Sequence, residues 1–521
     1  MPGSSFAAVP RALLAIILSA AAVVAAQIGR PNADEGWYLH AGRRATSGDL
    51  PYRDFAFTQP PLIAYVYGAV QAAIPGPRLR LGRATSVVFL VGASWLAAGL
   101  AGRIARPTAG ASARAAAGPI AIGLLATSPD FLYFGTLVKT YALGAFLVTL
   151  AATLAWDDRP ARRRWAPIAA GLAVATRLSL APVALAIVAR VIARRRRHRP
   201  ANAHRGPLAP LAPSAPLAPF ASLAPFAALA LGLAPLLVAL AAPRAFIEQT
   251  IAFPVTRGSE KQVVDQLREL WAMHAPLAVA LAVGLGALAR RAPREAGWLA
   301  ALVTLAVLPQ LVPAAHHGEY VEIALPLVAA VAAAGLSRLG SRPAAESREA
   351  KPSARRPPRA TPARTPLPVI AVAVALLATA VHRAPRCYGF RDLDGRAYRW
   401  DPLRSIEEAA ALVDSLSAPD DTLLTWTTSV AVEARRPIPR GLDIGIFSGA
   451  LTREWDGSDT ATRFPLAFLQ PGADAGAEPR AGVWTSAPNG YDPVRAFEGF
   501  DQSQTTATLY AVSKLRPQTS P

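Results

Sequence analysis

The sequence predicts an all-α polytopic membrane protein of about 11 transmembrane helices, with a small soluble α/β domain at its carboxyl end. Three observations carry that reading. Hydrophobic residues make up 52% of the 521, and they fall in blocks instead of amphipathic stripes. The basic residues behind a formal net charge of +20 gather at the ends of those blocks. Beyond residue 383 the blocks stop and a mixed, soluble composition begins.

The apolar runs are Ala12–Ile28, Thr85–Ala101, Leu143–Trp156, Phe226–Ala242, Leu277–Ala289, Trp298–Val312 and Val369–Val381. A bilayer core of about 30 Å takes about 20 apolar residues as helix, fewer where the helix ends among headgroups. So many runs, parted by arginine clusters, exclude a soluble protein. The clusters are Arg162–Arg164, Arg194–Arg199, Arg290–Arg294, and Arg338 through Arg364, a positive-inside pattern that marks cytoplasmic loops. No aromatic residues interleave them to stack on bases, so nucleic acid is not an expected partner. The single cysteine, Cys387, excludes an intrachain disulfide. Arg11–Ile28 has the outline of a signal peptide, down to Ala25-Ala26-Gln27. It is read as an uncleaved first helix, because the segment after it carries the candidate chemistry.

Arg11 places the amino terminus inside and the loop 29–60 outside. Pro61–Ile74 is short and ends Pro75-Gly76-Pro77. It is expected to dip into the membrane without crossing, which keeps Arg103, Arg106 and Arg114 inside; a full crossing with a basic outer loop is the alternative. Trp165–Ala193 has arginines at both ends and is expected to form a helical hairpin turning near Arg177-Leu178-Ser179. Ser259–His274 opens with a capping box, Ser259 and Gln262, and is expected to be an amphipathic helix on the outer face or against the outer domain. The resulting organisation is a transmembrane domain over 1–340, a Pro/Arg-rich cytoplasmic linker over 341–366, a last transmembrane helix over 367–382, and an outer α/β domain over 383–521. Pro200–Pro219 is a second proline-rich linker. In the outer domain Ser405–Leu416 is expected as a helix capped by Ser405 and Glu408, and Thr422–Thr427 as a strand.

The candidate chemistry lies in the first outer loop. It reads Asn32-Ala-Asp34-Glu35-Gly-Trp37-Tyr38-Leu-His40, then Gly48-Asp-Leu-Pro-Tyr52-Arg53-Asp54, then Gln59-Pro60-Pro61-Leu62. A carboxylate at the start of a helix near the membrane surface is held ionised by the helix dipole and is placed to accept a proton. The competing reading is that Asn32 or Asp34 is only an N-cap. Arg177 is costly in an apolar hairpin unless it is paired or faces a wet cavity; a hairpin-tip arginine at headgroup level is the alternative. Lys139, read from the sequence alone, is a lysine that could snorkel at a helix end. His316-His317-Gly-Glu319-Tyr320 suits substrate contact by Glu319 or Tyr320 better than a metal site, since adjacent histidines point different ways.

This stretch resembles the first outer loop of the GT-C-fold glycosyltransferases, in the branch of the protein O-mannosyltransferases and the lipid A aminoarabinose transferase. Those enzymes carry an Asp-Glu pair after the first helix, then a Gly-x-x-Pro-Tyr-x-Asp-type segment, then Lys/Gln-Pro-Pro-Leu. The resemblance extends to about residue 330 by layout, and Ala431–Gly441 resembles tails on some bacterial members. It departs where relatives have lysine before Pro-Pro-Leu, because this chain has Gln59. A lysine, Lys139, also stands near the place of a second acid of the family.

The resemblance implies an inverting transfer from a polyprenyl-phosphate-linked sugar to an acceptor hydroxyl on a lipid, polysaccharide or protein. Asp34 would be general base and Glu35 would orient the acceptor or share the proton. Arg177, Lys139, Arg53 and Gln59 would meet the carrier phosphate. No cofactor is required by this scheme, which leaves room for a divalent metal, and no metal ligands are assigned. A multi-pass transporter or lipid flippase is the rival from another class; the absence of an internal repeat and an acidic pair in a loop stand against it.

Overall fold

The computed structural model describes residues 11–106, 111–197, 223–256, 263–312, 318–339, 367–388, 401–445, 464, 466–469, 491–497 and 507–512. The chain opens with α1 (Arg11–Ile28), α2 (Ala33–Thr46), α3 (Leu62–Ala73) and α4 (Arg78–Ala105). It continues through α5 (Ala111–Ala126), α6 (Pro129–Thr136), α7 (Thr140–Ala155), α8 (Pro160–Arg163), α9 (Ala166–Thr176) and α10 (Ala181–Arg197). Then come α11 (Ala224–Gly232), α12 (Pro243–Ile247), α13 (Phe253–Thr256), α14 (Val263–Ala289), α15 (Pro293–Val307), α16 (Leu325–Leu336) and α17 (Leu367–Tyr388). The final part contains α18 (Arg404–Leu416), α19 (Thr428–Glu433) and four strands.

By length and composition, three helical stretches among the described residues suffice to cross a membrane: Arg78–Ala105, Leu267–Ala289 and Gly318–Leu336. The number rises to six if each bent pair counts as one span, against the expected total of about 11. The difference lies in breaks. The run Phe226–Ala242 divides at Leu233 into α11 and a 3-10 segment bent by 56°, and α9 has only 11 residues before it stops at Arg177.

The helices nevertheless alternate between two ends of one bundle, and their polar residues show it. At one end Arg103 pairs with Asp157 at 3.1 Å and Arg106 with Asp158 at 3.1 Å. Arg194 donates to the Asp157 carbonyl at 3.3 Å, Arg190 binds Glu295 at 2.6 Å, and Arg338 reaches the Ile104 carbonyl at 3.1 Å. These residues end α4, α7, α10 and α16 and begin α15. Because Arg194 returns to the residues that precede α9, the segment from Trp165 to Ala193 doubles back, with its break at Arg177–Leu180.

At the other end α2 turns by 96° from α1 and lies across the bundle. Its 14 residues start at Asn32, whose side chain accepts from Asp34 N while Glu35 returns to the Asn32 N–H, a reciprocal capping box. Next to it α3 has 12 residues, about 18 Å of helix, and packs along α2: Gln71 donates to the Leu39 carbonyl at 3.1 Å. Neither end of α3 reaches the arginine end.

Two local expectations change. Val263–Ala289 is one helix of 27 residues with Pro276 inside it, so the amphipathic stretch runs into the span instead of lying apart from it. Burying the main chain of one long helix leaves no unpaired groups at a corner. Ser259 and Gln262 lie outside the described residues. In α18 the N-cap is Leu403, with no side-chain cap; Ser405 sits inside the helix, buried, and Glu408 pairs with Arg404 at 2.8 Å.

The strands are β1 (Leu423–Thr425), β2 (Leu466–Leu469), β3 (Tyr491–Phe497) and β4 (Ala507–Val512). They form one mixed sheet in the order β1-β2-β4-β3, with β1 parallel to β2 and the other pairs antiparallel. β1 and β2 are buried throughout.

Candidate active site

Helix α2 carries two neighbouring acids to opposite fates. Glu35 is fully buried. Its carboxylate accepts from Arg83 Nε at 2.8 Å and Nη2 at 2.6 Å, and from the backbone N–H groups of Asn32 at 3.0 Å and Val138 at 3.2 Å. Arg83, the largest fully buried side chain, spends its other N–H groups on the carbonyls of Ala26, Gly29 and Arg30, at 2.9, 2.8 and 3.1 Å. Glu35 therefore fastens α2 to α1, α4 and the start of α7, and no edge of it is left for an acceptor or a shared proton. The sequence reading missed Arg83 and missed the signal in Asn32-x-x-Glu35, a capping-box spacing.

Asp34 faces the other way, its side chain 27% exposed. The N-cap is Asn32, so Asp34 is not consumed in capping the helix. Its Oδ2 lies 2.9 Å from Lys139 Nζ, and its Oδ1 accepts from Trp37 Nε1 at 3.2 Å. Lys139 is buried and stands at the N-cap of α7 in an extended conformation; it does not snorkel. The same ammonium lies 2.9 Å from Glu319, which also accepts from the Tyr141 hydroxyl at 3.0 Å.

Arg177 completes the group. Left extended at the break between α9 and α10, it is only 8% exposed. It donates to Thr140 Oγ1 at 3.1 Å and Ser179 Oγ at 3.3 Å, and Ser179 donates in turn to Gln310 at 2.7 Å. Its guanidinium stacks 4.6 Å from the Tyr320 ring and 5.6 Å from the Tyr141 ring. Among the described residues no carboxylate pairs with it. Tyr38, on the turn of α2 after Asp34, is within electrostatic reach of Asp34, Lys139, Arg177 and Tyr320. It stacks on Trp37 at 3.9 Å and meets Phe57 edge-on at 6.2 Å. Thus Asp34, Lys139, Arg177 and the adjacent pair Glu319 and Tyr320 come from four separate chain segments to one place.

Arg53 and Gln59 are not brought into that group. Arg53 is exposed and binds Asp54 through two bonds of 2.9 and 2.8 Å, and that guanidinium holds the Asp54 carboxyl down at about 2. Gln59 is half-buried, and its backbone carbonyl accepts from the Tyr52 hydroxyl at 2.7 Å. The Gly48-to-Asp54 segment is a tight loop. Gly48 has φ +99°, Tyr52 φ +71°, and Asp54 accepts from Leu50 N at 2.7 Å. The loop's Phe57 delivers the packing against Tyr38, and its own N–H is held by Gln249 at 2.8 Å.

Among the described residues no group of three or more His, Cys, Asp or Glu is arranged to hold a metal ion. His316 and His317 lie outside those residues. A deeper cluster lies below Glu319: Asp130 and Arg383 pair at 2.6 Å, and Glu322 is buried 3.7 Å from His274.

The final part of the chain packs on α2. His40 Nε2 and Arg44 Nη1 contact Asp443 at 3.1 and 3.0 Å, and Arg43 donates to the Arg436 carbonyl at 2.8 Å. A Cβ on Gly36 would lie 2.1 Å from Ser429 N, so only glycine permits α19 to approach this closely. Glu433 accepts from Arg78 N at 2.7 Å and Leu79 N at 2.8 Å, capping α4.

No protein-family model matches the sequence, and no curated protein matches it. Solved structures do. ArnT from Cupriavidus metallidurans bound to undecaprenyl phosphate is 15% identical, with a TM-score of 0.61 over 98% of this chain and 98% of that one. The same protein in the apo state gives 0.58 at 15% identity, over 97% and 99%. With nearly the whole of both chains superposed, the chain has the GT-C fold, as ArnT does.

Proposed function

We propose that this chain is a membrane glycosyltransferase that moves a sugar from a polyprenyl-phosphate carrier to an acceptor hydroxyl. The observation that carries the reading is the union of one partly exposed carboxylate, Asp34, with two buried cations, Lys139 and Arg177. A cation kept in a low-dielectric site without its own carboxylate suits an anion that arrives with a ligand, and a phosphate fits the guanidinium fork. ArnT, which shares the fold, has been captured with undecaprenyl phosphate.

In this mechanism the acceptor oxygen attacks the anomeric carbon while the bond from that carbon to the phosphate oxygen breaks. The acceptor proton passes to Asp34, and the leaving polyprenyl phosphate is stabilised by Lys139 and Arg177. A single displacement inverts the anomeric centre. Lys139 moves from its pair with Asp34 toward the phosphate as the donor binds, which releases the carboxylate to act as base. Glu319 and Tyr141 hold the other side of Lys139, and Tyr320 steadies the Arg177 plane. The site end faces outward and the arginine end faces the cytoplasm.

The test is transfer of radiolabelled sugar from a polyprenyl-phosphate donor in membranes containing wild-type protein or Asp34→Asn. Loss of transfer with unchanged protein level and insertion supports the assignment. Undiminished transfer removes Asp34 from the mechanism.

A further inference from the structure

The arginine end of the bundle holds charge that the transfer reading does not use. Arg163, on α8, is 7% exposed, and among the described residues its Nη1 has no hydrogen-bond partner. Among the described residues the carboxylates at this end pair with others: Asp157 with Arg103 and Arg162, Asp158 with Arg106 and Arg194, Glu295 with Arg190. Arg190 is 6% exposed, and its Nε also lacks a partner. Arg194 feels the charges of both Arg190 and Arg163. Arg190 and Arg194 lie one turn apart on α10, and Asp157 is reached both by Arg194 and by Arg162, the neighbour of Arg163. The three arginines therefore share one end of the bundle, with one buried donor unmatched on Arg163 and one on Arg190 among the described residues. Arg190 has Glu295 as its counter-charge, but among the described residues Arg163 is a buried charge without one, which is strongly unfavourable.

The surroundings say what kind of anion suits. The Arg190 guanidinium lies 4.6 Å from the Trp156 ring and 5.8 Å from the Trp298 ring. Arg164 stacks at 5.3 Å on Trp165, whose side is exposed. Tryptophans are enriched at the membrane–water interface, and Trp165, which is exposed, suits that place, whereas Trp156 is buried against Arg190. Basic pockets between helices at that level take the phosphate of anionic lipids, and arginine binds phosphate through paired N–H groups.

We propose that Arg163, Arg190 and Arg194 form a binding site for the phosphate group of an anionic membrane lipid, at the bundle end opposite the candidate active site. The proposal needs the membrane placement but not the transfer reaction, so it stands or falls apart from that reading.

The full chain, purified in a neutral detergent, is incubated with phosphatidylglycerol, with phosphatidylcholine of the same acyl chains, or with inorganic phosphate. Bound lipid is counted by native mass spectrometry and Tm is measured in parallel. Wild type should retain phosphatidylglycerol about tenfold more tightly than phosphatidylcholine and gain Tm from it, as one charge-assisted contact provides. Arg163→Gln should lose that preference, whereas Arg53→Gln, an exposed arginine elsewhere, should keep it. Equal retention of the two lipids by wild type overturns the proposal, as does an Arg163→Gln protein with undiminished preference. Should Arg163→Gln fail to fold, the wild-type preference between the two lipids decides alone. Stabilisation by inorganic phosphate equal to that by phosphatidylglycerol overturns the lipid assignment in favour of a free-anion site.

Discussion

The Glu35–Arg83 pair makes the sharpest test of how the site is built. Glu35→Gln keeps the shape of the side chain and removes its charge. Arg83 would retain its three carbonyl acceptors but lose its only carboxylate, in a place where it is 1% exposed. Removing one partner of a buried ion pair costs about 3–5 kcal/mol, mostly because the other charge is stranded. Arg83→Met should cost a similar amount by stranding Glu35. The double variant strands neither, so its cost should fall well below the sum, with a coupling of about 2–3 kcal/mol. Thermal unfolding of the purified protein reports the stability, and initial transfer rates per folded molecule report the site. Activity should track the folded fraction in the Glu35→Gln protein. If its stability is unchanged while transfer disappears as completely as in Asp34→Asn, Glu35 is part of the chemistry and the anchor argument is refuted. Additive costs in the cycle would refute it too.

Arg177→Ala should lower transfer about a hundredfold, the effect of losing one preorganised electrostatic donor. Arg177→Lys should recover only part, because a point charge replaces a planar fork; near-equal initial rates for the three proteins would remove Arg177 from the site. Glu433→Ala should cost about 1–2 kcal/mol, since it exposes the first N–H groups of α4. Gly36→Ala should be worse, because the added Cβ meets backbone of α19 that has no rotamer to yield; protease release of the carboxyl-terminal part measures both, and unchanged resistance would argue that this seam is not a clamp. For orientation, Ser415→Cys on exposed α18, made after Cys387→Ala, should react with an impermeant thiol reagent in intact spheroplasts. Labelling only after lysis would reverse the inside-out assignment.

The membrane class was legible because hydrophobic blocks and their arginine ends are local, one-dimensional features. The same holds for Asn32-to-Glu35, Gly48-to-Asp54 and Gln59-to-Leu62, whose order pointed to the fold. Lys139, Arg177, Glu319 and Tyr320 each stood out as a polar residue in apolar company, but their convergence was invisible, since they are spread over 182 positions. Arg83 lies 48 residues from Glu35, and nothing local marks the two as partners. Arg53 differs from these: its partner is the next residue, Asp54, and its side chain stays exposed. The number of spans is harder to read, because an apolar run does not reveal where a helix breaks. Arg177 can occupy the interior only because α9 ends there and frees the backbone to turn.

The two acids at the start of α2 explain why that break and that pair belong to one design. Successive residues on a helix point about 100° apart, so Asp34 and Glu35 cannot face the same ligand. Once Glu35 is locked to Arg83 and the Val138 N–H, the rotation of α2 about its axis is set, and Asp34 is directed toward the residue after Val138, which is Lys139. The anchor and the candidate base therefore share one lever: the Glu35 contact at Val138 fixes the strand-like entry to α7 from which Lys139 projects. Asn32 sets where the helix begins, Gly36 lets α19 press on it, and Asp443 holds its far end through His40 and Arg44. A carboxylate that must give up a lysine to become a base needs a backbone that does not follow the lysine when it leaves, and these contacts supply that resistance without touching the Asp34 carboxylate.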